Sequence, residues 1–472
     1  MKILYVASEG APYSASGGLG DVIGALPKSV AAADPSAKCE VILPLYGNMK
    51  AEHRLQLEHV IDITFKLSWR STGATIYKIE SDNVTYYFVE NHYYFDRART
   101  YGEWDDGERF AFFSMAVIEF MLKTGNIPDV LHANDWQTAP CVIYLKTKYA
   151  GEKALSGIRT LFTIHNIEFQ GKFDPAILGD VFALDAKYYN IVEFGGCINL
   201  LKGAITVSDR VSTVSPNYAC ELKHDFFAFG LADIIKSASD KMCGIINGID
   251  YTAFSPKVGG EIYSTFDKRT VKSGKAKNKL ALQREIGLEE NADIPLIVMV
   301  TRLTDQKGLD LVLHIMRELL AEKVQVALLG TGDEKYEDAF AALDSEFGNF
   351  RALIKFDRTL SKKMYASADI FLMPSKSEPC GLAQMIACSY GTIPVVRAVG
   401  GLYDSIKPYG AEGANGFTFN NYNAHELLFT LKAALELYEN KNEWSALRKS
   451  AINSDFSWNK SAAKYIELYN VL

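Results

Sequence analysis

Two cations stand five residues apart in one short segment of the second half of the chain. Arg302 and Lys307 lie between an apolar run, Leu296–Val300, and an amphipathic stretch that begins near Leu309. Arginine offers a planar fork of hydrogen-bond donors and lysine a point charge, and both side chains bind phosphate. The alternative is a pair of solvated surface charges. Because ligands in open α/β sheets bind at the carboxyl ends of strands, the position directly after an apolar run favours a diphosphate site.

A carboxylate follows another apolar run in the same half. Glu378 comes after Ile370–Met373 and shortly before Gly381 and Leu382. It could hold the hydroxyls of a sugar whose phosphate accepts hydrogen bonds from the Gly381 and Leu382 amides. The alternative is a structural role, since a negative charge near a helix N-terminus stabilises the helix. Gly400-Gly401 forms a second amide-rich turn farther along the chain.

Glycines dominate the corresponding position in the first half. Gly17 and Gly18 follow the apolar run Ile3–Ala7, and Asp21 comes just before a helix that we expect to begin near Val22. Glycine lets the backbone approach a phosphate or sugar closely, and a helix N-terminus favours negative charge. A tight turn without a ligand explains this segment equally well when it is taken alone.

Polar side chains also follow the apolar runs Val130–Ala133 and Thr160–Ile164. Asp135 comes after the first run, and His165 with Asn166 after the second. A helix N-cap is the alternative interpretation of Asp135, and a hydrogen-bonded structural histidine is the alternative for His165. At the carboxyl end of a strand, an imidazole beside an amide is a candidate for holding sugar hydroxyls.

These candidates all follow short apolar runs, which alternate with amphipathic stretches along the chain. Such alternation is typical of βαβ units and parallel sheets. In the first half the predicted strands are Ile3–Ala7, Val41–Pro44, Tyr86–Glu90, Val130–Ala133, Thr160–Ile164 and Val211–Val214. A second series begins after Asn247 and comprises Leu296–Val300, Val324–Leu329, Ala352–Ile354, Ile370–Met373 and Ile393–Val396. Two doubly wound sheets in series predict a cleft between two Rossmann-like halves.

Helices are predicted from the spacing of apolar residues between these strands. They cover Arg109–Lys123, Trp136–Tyr149, Leu309–Ala321, Lys335–Glu346, Leu382–Tyr390 and Glu426–Tyr438. The polar segment 257–279 has no long apolar period, so it is predicted to be a linker or an excursion on the surface.

The bulk properties agree with a globular protein of two domains. The chain has 472 residues, a net charge of −7 and seven cysteines in no metal-binding pattern. An acidic chain lacks the basic patch that nucleic-acid binders need, although a few placed cations can still hold a diphosphate. No apolar run reaches the length of a membrane span, and the first residues are expected to form a strand rather than a signal peptide. A cytoplasmic location is therefore expected.

In their order and spacing, these segments resemble the bacterial-type starch/glycogen synthase family. The resemblance covers essentially the whole chain, and its most specific motifs are Arg302-Leu-Thr-Asp-Gln-Lys-Gly308 and Glu378-Pro-Cys-Gly-Leu382. It implies the GT-B fold of glycosyltransferases, with an N-terminal Rossmann-like acceptor domain over residues 1–245 and a C-terminal donor domain over residues 246–457. The family's last helix, here residues 458–472, is expected to return to the first domain.

The resemblance also implies an activity. The chain would transfer glucose from ADP-glucose to the non-reducing end of an α-1,4-glucan, glycogen or a malto-oligosaccharide, with retention of configuration. No carboxylate pair of the glycosidase type is evident, which favours front-face displacement. No metal, cofactor, nucleic acid or membrane is expected to take part.

By the same resemblance, the catalytic residues would be Glu378, Arg302, Lys307 and His165. Arg302 and Lys307 would bind the donor diphosphate, and Phe356 would lie under the nucleotide base. The other residues expected to bind substrate are Gly17, Gly18, Asp21, Asp135, Asn166, Asn247, Cys380, Gly381, Leu382, Gly400 and Gly401.

The chain departs from the family pattern at the first glycine pair. The family has Lys-x-Gly-Gly-Leu, whereas this chain has Ala15-Ser16-Gly17-Gly18-Leu19. A cation expected near the donor phosphates is therefore replaced by a methyl group. Two alternatives to the synthase function follow: a non-catalytic or impaired glucan-binding protein, and a related glucosyltransferase with another acceptor.

Overall fold

The computed structural model describes residues 1–472, which divide into two compact units. Unit 1 comprises Met1–Gly248 and Trp458–Leu472, and unit 2 comprises Ile249–Ser457. Each unit is built on one large sheet with helices packed against it.

Unit 1 contains twelve strands. They are β1 (Lys2–Val6), β2 (Lys38–Pro44), β3 (Glu58–Leu67), β4 (Arg70–Ser81), β5 (Val84–Glu90), β6 (Val130–Asn134), β7 (Arg159–Ile164), β8 (Lys172–Phe173), β9 (Glu193–Phe194), β10 (Cys197–Asn199), β11 (Arg210–Thr213) and β12 (Met242–Gly244). Nine of them form one sheet in the order β12-β11-β7-β6-β1-β2-β5-β4-β3, and β8, β10 and β9 form a small separate sheet.

The six predicted strands of this half all lie in the large sheet and pair in parallel. They were predictable because parallel strands are covered on both faces and therefore consist of nearly continuous apolar residues. The hairpin β3–β4 was not predicted. It pairs in antiparallel fashion at the edge of the sheet, and many of its side chains remain exposed, so it has no continuous apolar run.

The helices of unit 1 cover the sheet between these strands. They are α1 (Gly18–Ala33), α2 (Ala51–Arg54), α3 (His92–Phe95), α4 (Asp106–Thr124), α5 (Ala139–Lys146), α6 (Tyr189–Val192), α7 (Leu200–Val207), α8 (Pro216–Glu221), α9 (Asp225–Ala228) and α10 (Ala232–Ser237).

Three helix predictions in this unit were wrong at their N-termini. Helix α4 begins at Asp106 rather than at Arg109. Helix α1 begins at Gly18 rather than near Val22, so Gly18 and Asp21 lie in its first turn. Helix α5 begins at Ala139, with Thr138 at its N-cap position, rather than at Trp136. Asp135 is therefore not an N-cap, and capping does not explain it.

Unit 2 contains a six-stranded, fully parallel sheet. Its strands are β13 (Leu296–Val300), β14 (Gln325–Leu329), β15 (Phe350–Leu353), β16 (Ile370–Met373), β17 (Ile393–Arg397) and β18 (Phe417–Phe419). Their order is β15-β14-β13-β16-β17-β18, which is the doubly wound order of a Rossmann fold. The order reverses between β13 and β16.

The helices of unit 2 are α11 (Val271–Ile286), α12 (Leu309–Leu320), α13 (Glu334–Glu346), α14 (Arg358–Ser367), α15 (Ala383–Ser389), α16 (Gly400–Ser405), α17 (Ala424–Glu439) and α18 (Lys441–Asn453). The polar segment 257–279 was predicted to be a linker or an excursion on the surface, but α11 overlaps its second half. This helix buries polar side chains: Lys275 donates to the carbonyl oxygens of Tyr365, Ala366 and Tyr390, and Lys279 pairs with Asp369 at 2.7 Å. A buried face made of such residues gives no apolar period.

The last helix, α19 (Trp458–Asn470), belongs to unit 1 and packs against α1. Tyr465 and Tyr469 are buried in the core of that unit. The Tyr469 hydroxyl lies 2.8 Å from Nδ1 of His132 and 3.2 Å from the Tyr5 hydroxyl. Nowhere in the fold is a helix both long and apolar enough to span a bilayer.

Candidate functional site

The predicted site residues of unit 1, apart from Asn247, follow three neighbouring strands. Strands β7, β6 and β1 are adjacent and parallel, with Val6 beside Ala133 and Asn134 beside Thr163. Their carboxyl ends therefore lie along one edge of the sheet. The direction of the sheet order also changes at β1, and ligands in open α/β sheets bind beside such a switch point.

Asn134 fixes the protonation of His165. The Asn134 amide nitrogen donates to the carbonyl oxygens of Val6 and His132, so its Oδ1 is the atom that lies 2.9 Å from Nε2 of His165. Because an amide oxygen only accepts, Nε2 carries the hydrogen. Burial lowers the pKa of His165 to about 3. The imidazole is neutral at pH 7, and its Nδ1 is left as an acceptor for a hydroxyl group.

Asp135 lies beside His165 at the end of β6. It has a left-handed backbone conformation, with φ of 60°, and its Oδ1 accepts a hydrogen bond of 2.7 Å from the backbone amide of His165. Burial raises the pKa of this carboxyl to about 7, against hydrogen bonds from the His165 and Asn166 amides that lower it. Asp135, His165 and Asn166 are thus brought together as the sequence predicts.

His132 proves to be structural. Its ring is fully buried, with Nε2 lying 2.6 Å from the Thr163 hydroxyl and Nδ1 bonded to Tyr469. Both nitrogens are used inside the protein, so this histidine cannot contact a substrate.

Glu9 is a residue of this edge to which the sequence analysis assigned no role. It follows β1 and is 2% exposed. Its Oε2 accepts from both the backbone amide and the hydroxyl of Ser16, and its Oε1 accepts from the amide of Gly20 at 3.3 Å. One carboxylate therefore fixes both ends of the glycine segment. Burial raises the pKa of Glu9, against these hydrogen bonds.

The glycine segment has its open side toward solvent. Gly17 and Gly18 are exposed, as are Ala15 and Asp21. A Cβ on Gly20 would lie 2.6 Å from the Cβ of Ala15, so the turn requires glycine at that position. Since the first amides of a helix have no intrahelical acceptor, the start of α1 can donate to an anion.

Asn247 is buried near the end of unit 1. Its side chain is 6% exposed, and its Oδ1 has no hydrogen-bond partner within the protein. An unpaired buried carbonyl oxygen costs free energy, so such groups are often found where a ligand supplies the partner.

In unit 2, Lys307 and Glu378 form an ion pair across the switch point of the sheet. They follow the neighbouring strands β13 and β16, and the Lys307 Nζ lies 2.6 Å from Oε2 of Glu378. The Ser375 hydroxyl donates to the same oxygen at 3.0 Å. The pair is well shielded, with the two side chains 12% and 9% exposed. The sequence predicted both residues as site residues but did not predict this contact.

Glycines allow the loops around Glu378 to approach one another. A Cβ on Gly400 would lie 1.9 Å from the carbonyl oxygen of Glu378, and one on Gly401 would lie 2.0 Å from that of Cys380. The amide of Gly401 donates to the Glu378 carbonyl at 3.1 Å. This amide is already used, so Gly401 holds the Glu378 loop in place rather than offering a free donor. Gly381 has a φ of 71° directly before Leu382, the residue that precedes α15.

Arg302 and Phe356 differ from the other candidates of unit 2 in their exposure. The Arg302 side chain is exposed, and no hydrogen bond or ion pair engages its guanidinium group. Phe356 follows β15 and is 89% exposed. Both side chains are available for a ligand. Cys380, by contrast, is buried, at 6% exposure.

Comparison with known proteins decides the family. The family described as starch synthase catalytic domain matches residues 2–237, and the family of glycosyl transferases group 1 matches residues 284–450. The chain is 44% identical to a glycogen synthase of Ligilactobacillus salivarius over the full length of both chains. It is 45% identical to a glycogen synthase of Clostridium botulinum, over 100% of this chain and 99% of the relative. The chain belongs to the starch/glycogen synthase family.

A solved structure supports the same conclusion. The catalytic domain of starch synthase IV from Arabidopsis thaliana, bound to ADP and acarbose, superposes with a TM-score of 0.91 at 33% identity, over 99% of this chain and 98% of that one. This member of the starch/glycogen synthase family is therefore a glycosyltransferase with two Rossmann-like domains of the GT-B type. A sucrose-phosphate synthase from Thermosynechococcus elongatus shares the fold alone, with a TM-score of 0.61 and 16% identity.

Proposed function

We propose that this chain transfers glucose from ADP-glucose to the non-reducing end of an α-1,4-glucan, with retention of configuration. The observation that carries the proposal is the assembly of Lys307 and Glu378 at the switch point of a Rossmann sheet. A cation for the leaving diphosphate and a carboxylate for the sugar stand together there. The relatives named glycogen synthase and the neighbour bound to ADP and acarbose support this choice of donor and acceptor.

In the proposed reaction, the bond between C1 of glucose and the diphosphate oxygen breaks. The O4 hydroxyl of the acceptor forms a bond to C1 on the same face, and its proton passes to the leaving diphosphate. Arg302 and Lys307 would stabilise the charge that grows on the diphosphate. Such preorganised electrostatic stabilisation is often the largest single contribution to catalysis.

The remaining candidates would hold the two sugars. Glu378 would accept from hydroxyls of the transferred glucose, and the neutral His165 would accept from a hydroxyl at Nδ1. Phe356 would stack on the nucleotide base, because removing a large apolar ring from water is energetically favourable. The free Oδ1 of Asn247 would accept from a substrate hydroxyl. We expect that no metal ion is needed.

The two alternative functions have less support. The only feature that favours a non-catalytic protein is Ala15. Against it, Arg302, Lys307 and Glu378 are all present, and Lys307 and Glu378 contact each other. Whether the enzyme uses a different acceptor must be determined by assay, since a fold does not determine a substrate.

A donor and acceptor panel tests the proposal. ADP-glucose, UDP-glucose and GDP-glucose should be offered with glycogen, maltoheptaose or glucose as acceptor, each with and without EDTA. We expect transfer from ADP-glucose to the two glucans, unchanged by EDTA, and a product that an α-1,4-specific glucosidase fully digests. Transfer only from another donor, only to a small sugar, or no transfer would each contradict the proposal.

A further inference from the structure

The segment between α3 and α4, residues 96–105, is held unusually firmly for a loop; we call it the strap. Arg109 is fully buried, and its guanidinium donates to the carbonyl oxygens of Tyr94 at 2.8 Å and of Thr100 at 3.2 Å. Arg97 binds both oxygens of the buried Asp105, at 2.5 and 2.7 Å. Two arginines thus fix the strap at its start, middle and end.

The strap is also tied to the candidate site of unit 1. The Tyr101 hydroxyl lies 2.8 Å from that of Ser8, the residue before Glu9. Burial raises the pKa of Tyr101, and the nearby carboxylates of Glu9 and Asp135 raise it further. The middle of the strap therefore contacts the same edge of the sheet from which Asp135 and His165 project.

Trp104 is the one large apolar side chain that the strap leaves in solvent. It is 88% exposed, and its ring makes no hydrogen bond, ring contact or cation contact. The other exposed tryptophan, Trp69, is 73% exposed but is covered by Arg70, whose guanidinium lies 4.6 Å from its ring, and bonded to Asp180.

Single exposed apolar side chains are common and need no explanation by themselves. Trp104 differs because the backbone on both sides of it is fixed: Asp105 is bound by Arg97, and the Gly102 amide donates to Asp106 at 2.8 Å. The backbone that carries the ring therefore has little freedom to lose, and a preorganised backbone lowers the entropic cost of binding a ligand.

We propose that Trp104 binds the acceptor. Its ring would stack on a glucose residue of the α-1,4-glucan that lies behind the terminal glucose to which the new glucose is added. The inference rests on the proposed function. A flat ring with an N–H at its edge suits a sugar, which has an apolar face and a rim of hydroxyls. Three residues span at most about 11 Å, so Trp104 lies within a short distance of Tyr101 and the sheet edge. The donor ligands Arg302 and Lys307 belong to the other unit, so the polymer is the substrate that Trp104 fits.

Trp104→Ala should raise the KM for glycogen and for maltoheptaose about tenfold. This change corresponds to roughly 1.4 kcal/mol of binding free energy, which is reasonable for the loss of one exposed aromatic side chain. The kcat should stay within about twofold, and the KM for ADP-glucose should not change, because removal of uniform binding affects KM alone. Trp104→Phe should recover most of the affinity. Phe429→Ala, which truncates a 75% exposed aromatic on α17 of unit 2, is the matched control and should behave as wild type.

Calorimetric titration with maltoheptaose, in the absence of a donor, separates this inference from the proposed function. A tenfold weaker Kd in Trp104→Ala supports the inference even if no donor is found to be active. Equal Kd and acceptor KM in wild type and Trp104→Ala would overturn it, as would a change confined to the KM for ADP-glucose. Circular dichroism of each variant shows that the fold is kept, and Trp104→Phe provides a second variant.

Discussion

The ammonium of Lys307 and the carboxylate of Glu378 lie 2.6 Å apart, each shielded from solvent by loops that follow adjacent strands. Each charge neutralises the other. A donor diphosphate would compete for the ammonium, while the Ser375 hydroxyl would keep one hydrogen bond to the carboxylate. When the donor binds, Lys307 can therefore bind the diphosphate while Glu378 accepts hydrogen bonds from the sugar.

Lys307→Ala should lower kcat by about 10²–10³, as expected for the loss of one preorganised group that stabilises the leaving charge. It should also lower the free energy of unfolding by roughly 1–3 kcal/mol, because Glu378 loses a charged partner in a shielded position. The double variant Lys307→Ala with Glu378→Gln should regain stability but not activity. Urea unfolding and steady-state kinetics measure both. A double variant as unstable as Lys307→Ala would show that the pair does not carry this cost.

Arg302→Ala should lower kcat by a similar factor, about 10²–10³, without any change in melting temperature. Its guanidinium has no partner inside the protein, so folding should not depend on it. Arg317→Ala is a suitable control, since Arg317 is exposed and forms an ion pair with Glu346 and a cation–π contact with Phe347, and exposed ion pairs are worth about 0–1 kcal/mol. Normal turnover in Arg302→Ala would place Arg302 outside the donor site.

Glu9→Gln should lower kcat/KM for ADP-glucose about tenfold, while the KM for the glucan stays the same. The amide group would place an NH₂ against either the Ser16 donors or the Gly20 amide, and two donors facing each other lose a hydrogen bond worth about 1–1.5 kcal/mol. Ser16→Ala removes only the hydroxyl contact and should have a smaller effect. A folded Glu9→Gln with unchanged kinetics would mean that the glycine segment keeps its shape unaided.

Asp135 should make stability depend on pH. Its pKa of about 7 in the folded state exceeds the ordinary value of 3.8, so the folded state binds the proton more tightly. The contribution of this protonation to the free energy of unfolding is fully present below about pH 3.8 and is lost as the pH rises through 7. The free energy of unfolding of wild type, relative to that of Asp135→Asn, should therefore be lower at pH 8 than at pH 5. Urea unfolding at both values tests this, and a difference independent of pH would contradict it.

The strands of unit 2 show how much of the fold could be predicted. The bounds of Leu296–Val300 and Ile370–Met373 were predicted without error, because central parallel strands are short runs of apolar residues between turns. Helix α11 was missed because Lys275 and Lys279 are buried against carbonyl oxygens and a carboxylate. Contacts of this kind depend on residues about ninety positions away, which no local pattern reveals.

The candidate site shows the same limit. Strand-end position was sufficient to select Glu378 and His165, since both follow apolar runs. The role of Glu9 was not visible, because its partners Ser16 and Gly20 have no side-chain pattern that marks them as donors to a buried carboxylate. The structural role of His132 likewise depends on Tyr469, 337 residues away.

Ala15→Lys should raise kcat/KM for ADP-glucose about 10- to 150-fold, which corresponds to a charge-assisted hydrogen bond of roughly 1.5–3 kcal/mol. The family motif has lysine at this position, and the resemblance places its ammonium near the donor phosphates. The Ala15 Cβ packs beside Gly20, but Ala15 is exposed, so a longer side chain can extend from that Cβ into solvent. Asp21 is also exposed in the first turn of α1, and its negative charge would otherwise oppose an anionic donor.

Ala15→Met supplies the length without the charge and should leave kcat/KM near the wild-type value. Kinetics at fixed ionic strength with glycogen as acceptor compare the three proteins. Equal gains in Ala15→Lys and Ala15→Met would assign the effect to packing, and no gain in a folded Ala15→Lys would show that the missing lysine does not limit this enzyme.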